Sequence, residues 1–310
     1  MTMNRLVHFT FSVLFVELLA ACTTPAQISP MPAPPSAASK PILINTASYK
    51  NILVYDPPKM YKVVVETVQY PTMSDPPNTL PMDVFYPSDR RPSELLPAVI
   101  MVNGFPNSGK YKGRTLDLFQ SWGRLIASHG LIAVAFDSQK ASDLDAIVGY
   151  IRQKGTDIGI DGSKIGLWAA ASSARLASSY AFHEGRDFLK FVVLYYPWIM
   201  TPDNYLRAEQ NAACFKIGCL GAQLPDVEQL RNDLPVLIVK CGRDIPDNIA
   251  VIDHFARLAT DAGVPLTLVE FDEGRHSFDQ RTVSEGEINT QATEIVQQTL
   301  EFMKEHAYDN

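Results

Sequence analysis

The sequence predicts an α/β protein with a mostly parallel sheet flanked by helices. From Tyr61 onward, apolar runs of strand length alternate with segments of helical periodicity, which is typical of strands joined by helical crossovers. Several apolar runs are continuous, as expected of strands that are buried on both faces. The chain has 310 residues and is 46% hydrophobic, enough for one large domain with a sizeable core.

The predicted elements follow one another in regular order. Strands at 62–68 and 80–86, joined by a turn at 71–78, give the sheet an antiparallel start. A turn at 161–163 leads into a strand that ends in small residues, and a capping box at Ser142 predicts a helix start. Further strands are predicted at 97–102, 131–136, 165–168, 191–196, 235–240 and 266–271, with helices at 115–129, from 142 to about 155, from 175, and at 284–306.

The N-terminus predicts export. Arg5 supplies a positive charge, the following residues up to Ala21 are mostly apolar, and residues 1–21 therefore read as a signal peptide. The segment 19–22, Leu-Ala-Ala-Cys, resembles a bacterial lipobox, which implies that Cys22 carries lipid and begins the mature chain. An ordinary signal peptide with a chance cysteine is the alternative. By analogy with sorting in such lipoproteins, Thr23 favours the outer membrane, facing the periplasm.

Composition also divides the chain. Residues 22–48 are rich in Pro, Ala and Ser and predict an extended tether, so that 49–310 forms the folded domain. Residues 198–233 interrupt the alternation of strands and helices, which indicates a cap-like insertion. Within it, Cys214 and Cys219 could form a short-loop disulfide in an oxidising compartment or remain two thiols.

Charge and cysteine spacing exclude several function classes. The net charge is -7 and no cluster of Lys or Arg occurs, which argues against a nucleic-acid partner. Two cysteines without a neighbouring histidine make a poor zinc site. We therefore expect no metal and no cofactor.

The junction at 164–175 carries the main functional question. An apolar strand runs there into small residues and then into helix-competent sequence, the pattern of a nucleophile elbow, in which a strained turn presents a nucleophile. In one register the nucleophile position falls on Ala171, whose methyl group cannot attack. In a register shifted by one, it falls on Ser172, with alanine at both positions where glycine is usual. Ser172 could instead cap the helix that follows, and Ser173 is a further candidate.

An acid and a base follow in the order expected of a catalytic triad. Asp244 comes directly after one predicted strand and His276 after the last, and the carboxyl ends of parallel strands meet at one edge of a sheet. An imidazole makes a serine hydroxyl nucleophilic, and a carboxylate orients the imidazole. Asp247 and Asp253 compete with Asp244, but the first could cap a helix and the second lies within one. Among the histidines only His276 occupies a loop after a strand.

Five segments between Leu80 and Asp279 carry a resemblance to a known family: 102–106, 121–124, 160–161 with 164–168, 242–244, and 274–279. Over this range the chain resembles the α/β-hydrolase superfamily, most closely its dienelactone-hydrolase-like members. The resemblance implies that Asp244 is the acid, that His276 is the base, and that the backbone N–H groups of Phe105 and Ser173 form an oxyanion hole.

Three functions remain open at this point. The leading hypothesis is a lipid-anchored serine hydrolase that cleaves a small carboxylic ester or lactone through an acyl-enzyme on Ser172. The alternative is an inactive binding protein of the same fold, with Ala171 at the nucleophile position. A third hypothesis, a carrier lipoprotein that uses the insertion, predicts an exposed apolar patch on 198–233. The aromatic residues Phe105, Trp122, Tyr196 and Trp198 either line a partly apolar pocket or belong to the core.

Overall fold

The computed structural model describes residues 42–43, 49–74, 76, 78–104, 113–183, 185–199 and 230–308. Cys22, Phe105, Cys214, Cys219 and most of the predicted insertion lie outside the described residues. The proposed lipid site, one oxyanion-hole amide, the disulfide and the apolar patch therefore stay predictions. Among the described residues, no helix is both long and apolar enough to cross a membrane.

The described residues form one nine-stranded sheet with the order β1-β2-β3-β5-β4-β6-β7-β8-β9. The pairings from β1 to β3 and of β3 with β5 are antiparallel, and those from β5 through β4 to β9 are parallel. This confirms the predicted α/β class and its antiparallel start. The strands are β1 (Ile42–Leu43), β2 (Val64–Pro71), β3 (Thr79–Tyr86), β4 (Leu96–Met101), β5 (Ile132–Phe136), β6 (Ile160–Ala170), β7 (Leu189–Tyr195), β8 (Val236–Cys241) and β9 (Leu266–Phe271).

Helices cover both faces of the sheet and divide the core into two layers. Of the helices in the described ranges, two lie on one face, with Trp122 and Val296 packed inward, and three lie on the other, with Leu144, Ala177 and Phe255 packed inward. The central strands β4 and β5 are buried along their whole length, as their continuous apolar runs predict. The helices are α1 (Asp117–Ala127), α2 (Asp143–Lys154), α3 (Ser173–Phe182), α4 (Pro246–Asp261) and α5 (Gly286–Tyr308).

Two local predictions differ from the structure. The turn predicted at 161–163 lies inside β6 as an irregularity in its pairing with β4, where the Asp161 carboxylate accepts hydrogen bonds from the amide and hydroxyl of Ser163, at 3.0 and 2.6 Å. Ser142 precedes α2 as predicted, but its side chain makes no capping hydrogen bond. The Asp143 carboxylate instead accepts the amides of Gln139 and Lys140, which stabilises the turn before the helix.

Candidate active site

The elbow is an alanine. Strand β6 ends at Ala170, α3 begins at Ser173, and Ala171 between them has a φ of 50°. Three backbone hydrogen bonds hold this turn. The amide of Ala171 donates to the carbonyl of Tyr195 at 3.0 Å, and the carbonyl of Ala171 accepts hydrogen bonds from the amides of Ala174 and Trp198. A left-handed φ strains the backbone of any residue that has a Cβ. Such a strained backbone is expected at the nucleophile position of an elbow. The structure thus corresponds to the register that places Ala171 at this position.

The two serines after the elbow belong to the start of α3. Ser172 has helical φ and ψ of -63° and -24°, and its side chain makes no capping hydrogen bond. The Ser173 hydroxyl accepts the Gly104 amide at 3.0 Å and so ties the helix to the loop after β4. Gly104 is required there, because a Cβ on it would lie 2.7 Å from the Cα of Ser173. Among the described residues, no hydrogen bond joins either serine to His276.

This register also changes which amide follows the elbow. The sequence predicts the Ser173 amide as one oxyanion donor, on the assumption that Ser172 is the elbow residue. With Ala171 in the strained turn, the amide directly after it is that of Ser172. Both amides lie at the N-terminus of α3, where backbone N–H groups lack partners within the helix and the helix dipole favours negative charge.

The structure brings the predicted acid and base together. His276 donates from Nδ1 to Oδ2 of Asp244 at 2.9 Å, which leaves Nε2 as the basic nitrogen. The same carboxylate accepts the Ile245 amide at 2.7 Å and the Asn248 side chain at 2.9 Å. Burial by itself would raise the pKa of Asp244, but the hydrogen bonds from His276, Ile245 and Asn248 outweigh it, and the pKa lies below its ordinary value. The acid is thus ionised and positioned to orient the imidazole.

The structure places the competing aspartates on the helix α4. Asp247 lies in the first turn of α4 and is exposed. Asp253 lies within the same helix and pairs with Lys240 at 2.8 Å. Of the three acids considered, Asp244 is the one that the structure places against His276.

A second buried carboxylate, which the sequence analysis did not single out, supports the histidine from behind. Asp279 has no exposed surface, and it accepts hydrogen bonds from the Tyr196 hydroxyl at 2.9 Å and from Nε1 of Trp122 at 2.7 Å. Burial raises its pKa above the ordinary value in spite of these two donors. The ring of Tyr196 in turn lies 4.6 Å from that of His276, centroid to centroid. Asp279 ends the 274–279 motif, but only the fold shows what its carboxylate contacts.

Backbone strain is concentrated at this site. In the described part of the chain, three residues other than glycine have a left-handed φ: Ala171 at 50°, Tyr196 at 37° and Ser277 at 65°. The first is the elbow residue, the second contacts the His276 ring, and the third follows His276 directly. Such strain clusters at functional sites because ordinary loops relax out of it.

The aromatic residues divide between core and site. Trp122 and Tyr196 are buried, at 0% and 1% exposure, and belong to the core behind His276. Trp198 is half-buried and is linked through its amide to the elbow. In the residues that the structure describes, no group of three or more His, Cys, Asp or Glu side chains could hold a metal ion.

These features define an α/β-hydrolase fold, with the elbow after β6, the acid after β8 and the histidine after β9. Solved structures with this fold are similar along most of the chain. A thermostable esterase from Pseudomonas putida ECU1011 is 17% identical, with 86% of this chain and 88% of that one covered and a TM-score of 0.62. Vibralactone cyclase is 12% identical, with 82% and 83% covered and a TM-score of 0.61. Brefeldin A esterase, a bacterial homologue of human hormone-sensitive lipase, is 15% identical, with 78% and 77% covered and a TM-score of 0.56.

Identities this low establish the fold and leave the activity to be argued from the site. No protein-family model matches the chain, and a search of curated proteins finds no match.

Proposed function

We propose that this site binds a small carboxylic ester or lactone and does not form an acyl-enzyme at its elbow. The observation that carries the proposal is the left-handed φ of 50° at Ala171, which puts a methyl group where an α/β-hydrolase needs a nucleophile. Since a methyl group has no lone pair, no covalent bond to a carbonyl carbon can form at this position.

The choice of ligand class rests on the groups that remain. An ester presents a carbonyl oxygen, for which the amides at the N-terminus of α3 are suitable donors. The Asp244–His276 pair lies at the same edge of the sheet and offers a base for proton transfer. Several similar solved structures are esterases, which supports the same class.

A serine hydrolase that uses Ser172, in the manner of dienelactone hydrolases, is the second candidate. One observation favours it: the Ser172 side chain makes no capping hydrogen bond to α3, so its hydroxyl is not committed to the helix. Attack from this residue requires the elbow to shift by one position, which would move the strained φ from Ala171 to Ser172.

A fluorophosphonate probe distinguishes the two candidates, because it reacts only with an activated nucleophile. Under our proposal the wild-type domain is not labelled, and Ala171→Ser becomes labelled at position 171 in a reaction that His276→Ala abolishes. Peptide mapping by mass spectrometry locates the label, and circular dichroism verifies that each variant is folded. Labelling of wild-type protein at Ser172, lost in Ser172→Ala, would instead establish the serine hydrolase.

We further propose that the chain is exported and anchored by lipid on Cys22, in the outer membrane and facing the periplasm. The support is the segment from Leu19 to Cys22 and the proline-rich residues after it. Metabolic labelling of expressing cells with an alkyne fatty acid tests this. The proposal requires a labelled protein in the membrane fraction, and Cys22→Ser has to abolish both the label and the membrane association.

A further inference from the structure

We propose that the Asp244–His276 pair activates a water molecule and hydrolyses the bound ester directly, without an acyl-enzyme. This inference rests on the proposed function, since it takes the same ester in the same site. It assigns an activity to a site whose elbow residue cannot react.

The pair has the geometry of a working general base. The Asp244 side chain is fully buried, whereas that of His276 is 37% exposed, so the acid lies behind the imidazole and the imidazole faces outward. Among the hydrogen bonds of the described residues, His276 uses Nδ1 alone, towards Asp244. The Nε2 lone pair is therefore available for a proton from water.

The imidazole is also held in place from the side. The ring of Tyr196 packs against it at 4.6 Å, and the Tyr196 hydroxyl is fixed by Asp279 at 2.9 Å. Tyr196 keeps this position with a strained φ of 37°, and Ser277 next to the histidine has a φ of 65°. A base that is fixed by a carboxylate on one edge and by a buried tyrosine on one face can act without a serine to orient it.

Contacts through Tyr195 and Tyr196 connect the elbow turn to His276. The Ala171 amide donates to the carbonyl of Tyr195, and the next residue, Tyr196, contacts the His276 ring. The turn at Ala171 is thus linked, through one backbone hydrogen bond, to the segment whose next ring packs against the imidazole. Since alanine lacks the hydroxyl oxygen of serine, a water molecule supplies the attacking oxygen in the proposed reaction.

The chemical step balances with water as the only co-reactant. A water molecule gives a proton to Nε2 of His276 while its oxygen bonds to the ester carbonyl carbon, and Asp244 stabilises the imidazolium that forms. The amides at the start of α3 stabilise the oxyanion. When the carbon–oxygen bond to the alcohol breaks, the leaving oxygen takes the proton from His276, so the products are a carboxylic acid and an alcohol.

Hydrolysis of p-nitrophenyl acetate by the purified full-length protein tests the proposal, in wild type, in His276→Gln and in His254→Gln as a matched histidine control on α4. A positioned base contributes on the order of 10²- to 10⁴-fold. We expect saturable hydrolysis by wild type that falls by at least about 100-fold in His276→Gln and is unchanged in His254→Gln. We also expect no initial burst of p-nitrophenol and no loss of rate after fluorophosphonate treatment.

Equal rates in wild type and His276→Gln would overturn the inference, as would a burst that equals the enzyme concentration. Titration calorimetry with 4-nitrophenylacetone, in which a methylene replaces the ester oxygen, separates this failure from failure of the proposed function. If the ketone binds but hydrolysis does not depend on His276, the direct reaction is wrong and ester binding stands. If the ketone does not bind and no hydrolysis occurs, both are wrong. A burst together with a fluorophosphonate label on Ser172 refutes both in favour of the serine hydrolase.

Discussion

Replacing Tyr196 by Phe removes one hydroxyl from the support behind His276 and should destabilise the fold measurably. The hydroxyl donates to the Asp279 carboxylate at 2.9 Å, and both side chains are buried, at 1% and 0% exposure. The substitution leaves the aromatic ring in place, so the loss is confined to one hydrogen bond and to the partner that it leaves behind.

The expected loss in free energy of unfolding depends on whether the acceptor, the Asp279 carboxylate, is charged. A buried hydrogen bond to a charged group contributes about 1.5–3 kcal/mol, and one between neutral groups about 0.5–1.5 kcal/mol. Tyr196→Phe leaves the carboxylate with Trp122 as its one remaining side-chain donor among the described residues. We therefore expect the free energy of unfolding to fall by about 2 kcal/mol above neutral pH.

The adjacent tyrosine is a matched control. Tyr195 is equally buried, and its hydroxyl shares a hydrogen bond of 2.7 Å with the hydroxyl of Thr299, a neutral partner. Tyr195→Phe should cost about 1 kcal/mol. Urea denaturation at pH 8, followed by tryptophan fluorescence, measures both variants. The cost of Tyr196→Phe should shrink in acid, where Asp279 is protonated and the hydrogen bond becomes one between neutral groups.

Equal costs for the two tyrosines at pH 8 would refute this reasoning. That result would mean that Asp279 carries no charge in the folded protein, because a protonated carboxyl is a partner of the same kind as Thr299.

Two further predictions concern the elbow and the second carboxylate. Ala171→Gly should stabilise the fold by about 0.5–1 kcal/mol. A left-handed φ costs alanine about 1–2 kcal/mol, and the greater flexibility of glycine in the unfolded chain cancels part of the stability gained by removing this strain. Ala170→Gly, one residue earlier in β6, should instead destabilise the fold by about 0.5–1 kcal/mol in the same urea titration. The raised pKa of Asp279 in the folded protein means that the native state binds the carboxyl proton more tightly than the unfolded chain does. The free energy of unfolding of wild type, compared with that of Asp279→Asn, should therefore fall as the pH rises from about 4 through the pKa of Asp279 in the folded protein. A difference that stays constant between pH 4 and 8 would contradict this.

The fold could be predicted from sequence because its signals are local. Continuous apolar runs mark β4 and β5, and their parallel pairing is expected because the helix α1 connects them. The strand Ile42–Leu43 escaped prediction because two residues within a proline-rich segment carry no periodicity. The sequence predicts a turn at 161–163 because Asp161 and Ser163 form the side-chain hydrogen bonds of a turn, but their backbone continues the strand.

The site was predictable only in part, for a physical reason at each residue. Asp244 and His276 were found because each follows a strand and the sheet brings strand ends together. Whether Ala171 or Ser172 is the elbow residue depends on which of them has the left-handed φ. The sequence does not determine this, because several small residues follow one another there. Asp279 was missed because its partners, Trp122 and Tyr196, lie 157 and 83 residues away along the chain.

The strain at the site does not depend on a nucleophilic side chain at the elbow. Three residues with a left-handed φ, at about 1–3 kcal/mol each, amount to a sizeable fraction of the 5–15 kcal/mol by which a typical domain is stable. Strain of this size persists only where surrounding contacts hold it, and here those contacts are the Tyr195 carbonyl, the Asp279 carboxylate and the His276 ring. Removing the nucleophile changes one side chain and leaves every one of these contacts in place. The contacts that fix His276 are therefore independent of the elbow side chain, and a fixed base is what the hydrolysis by water that we propose requires.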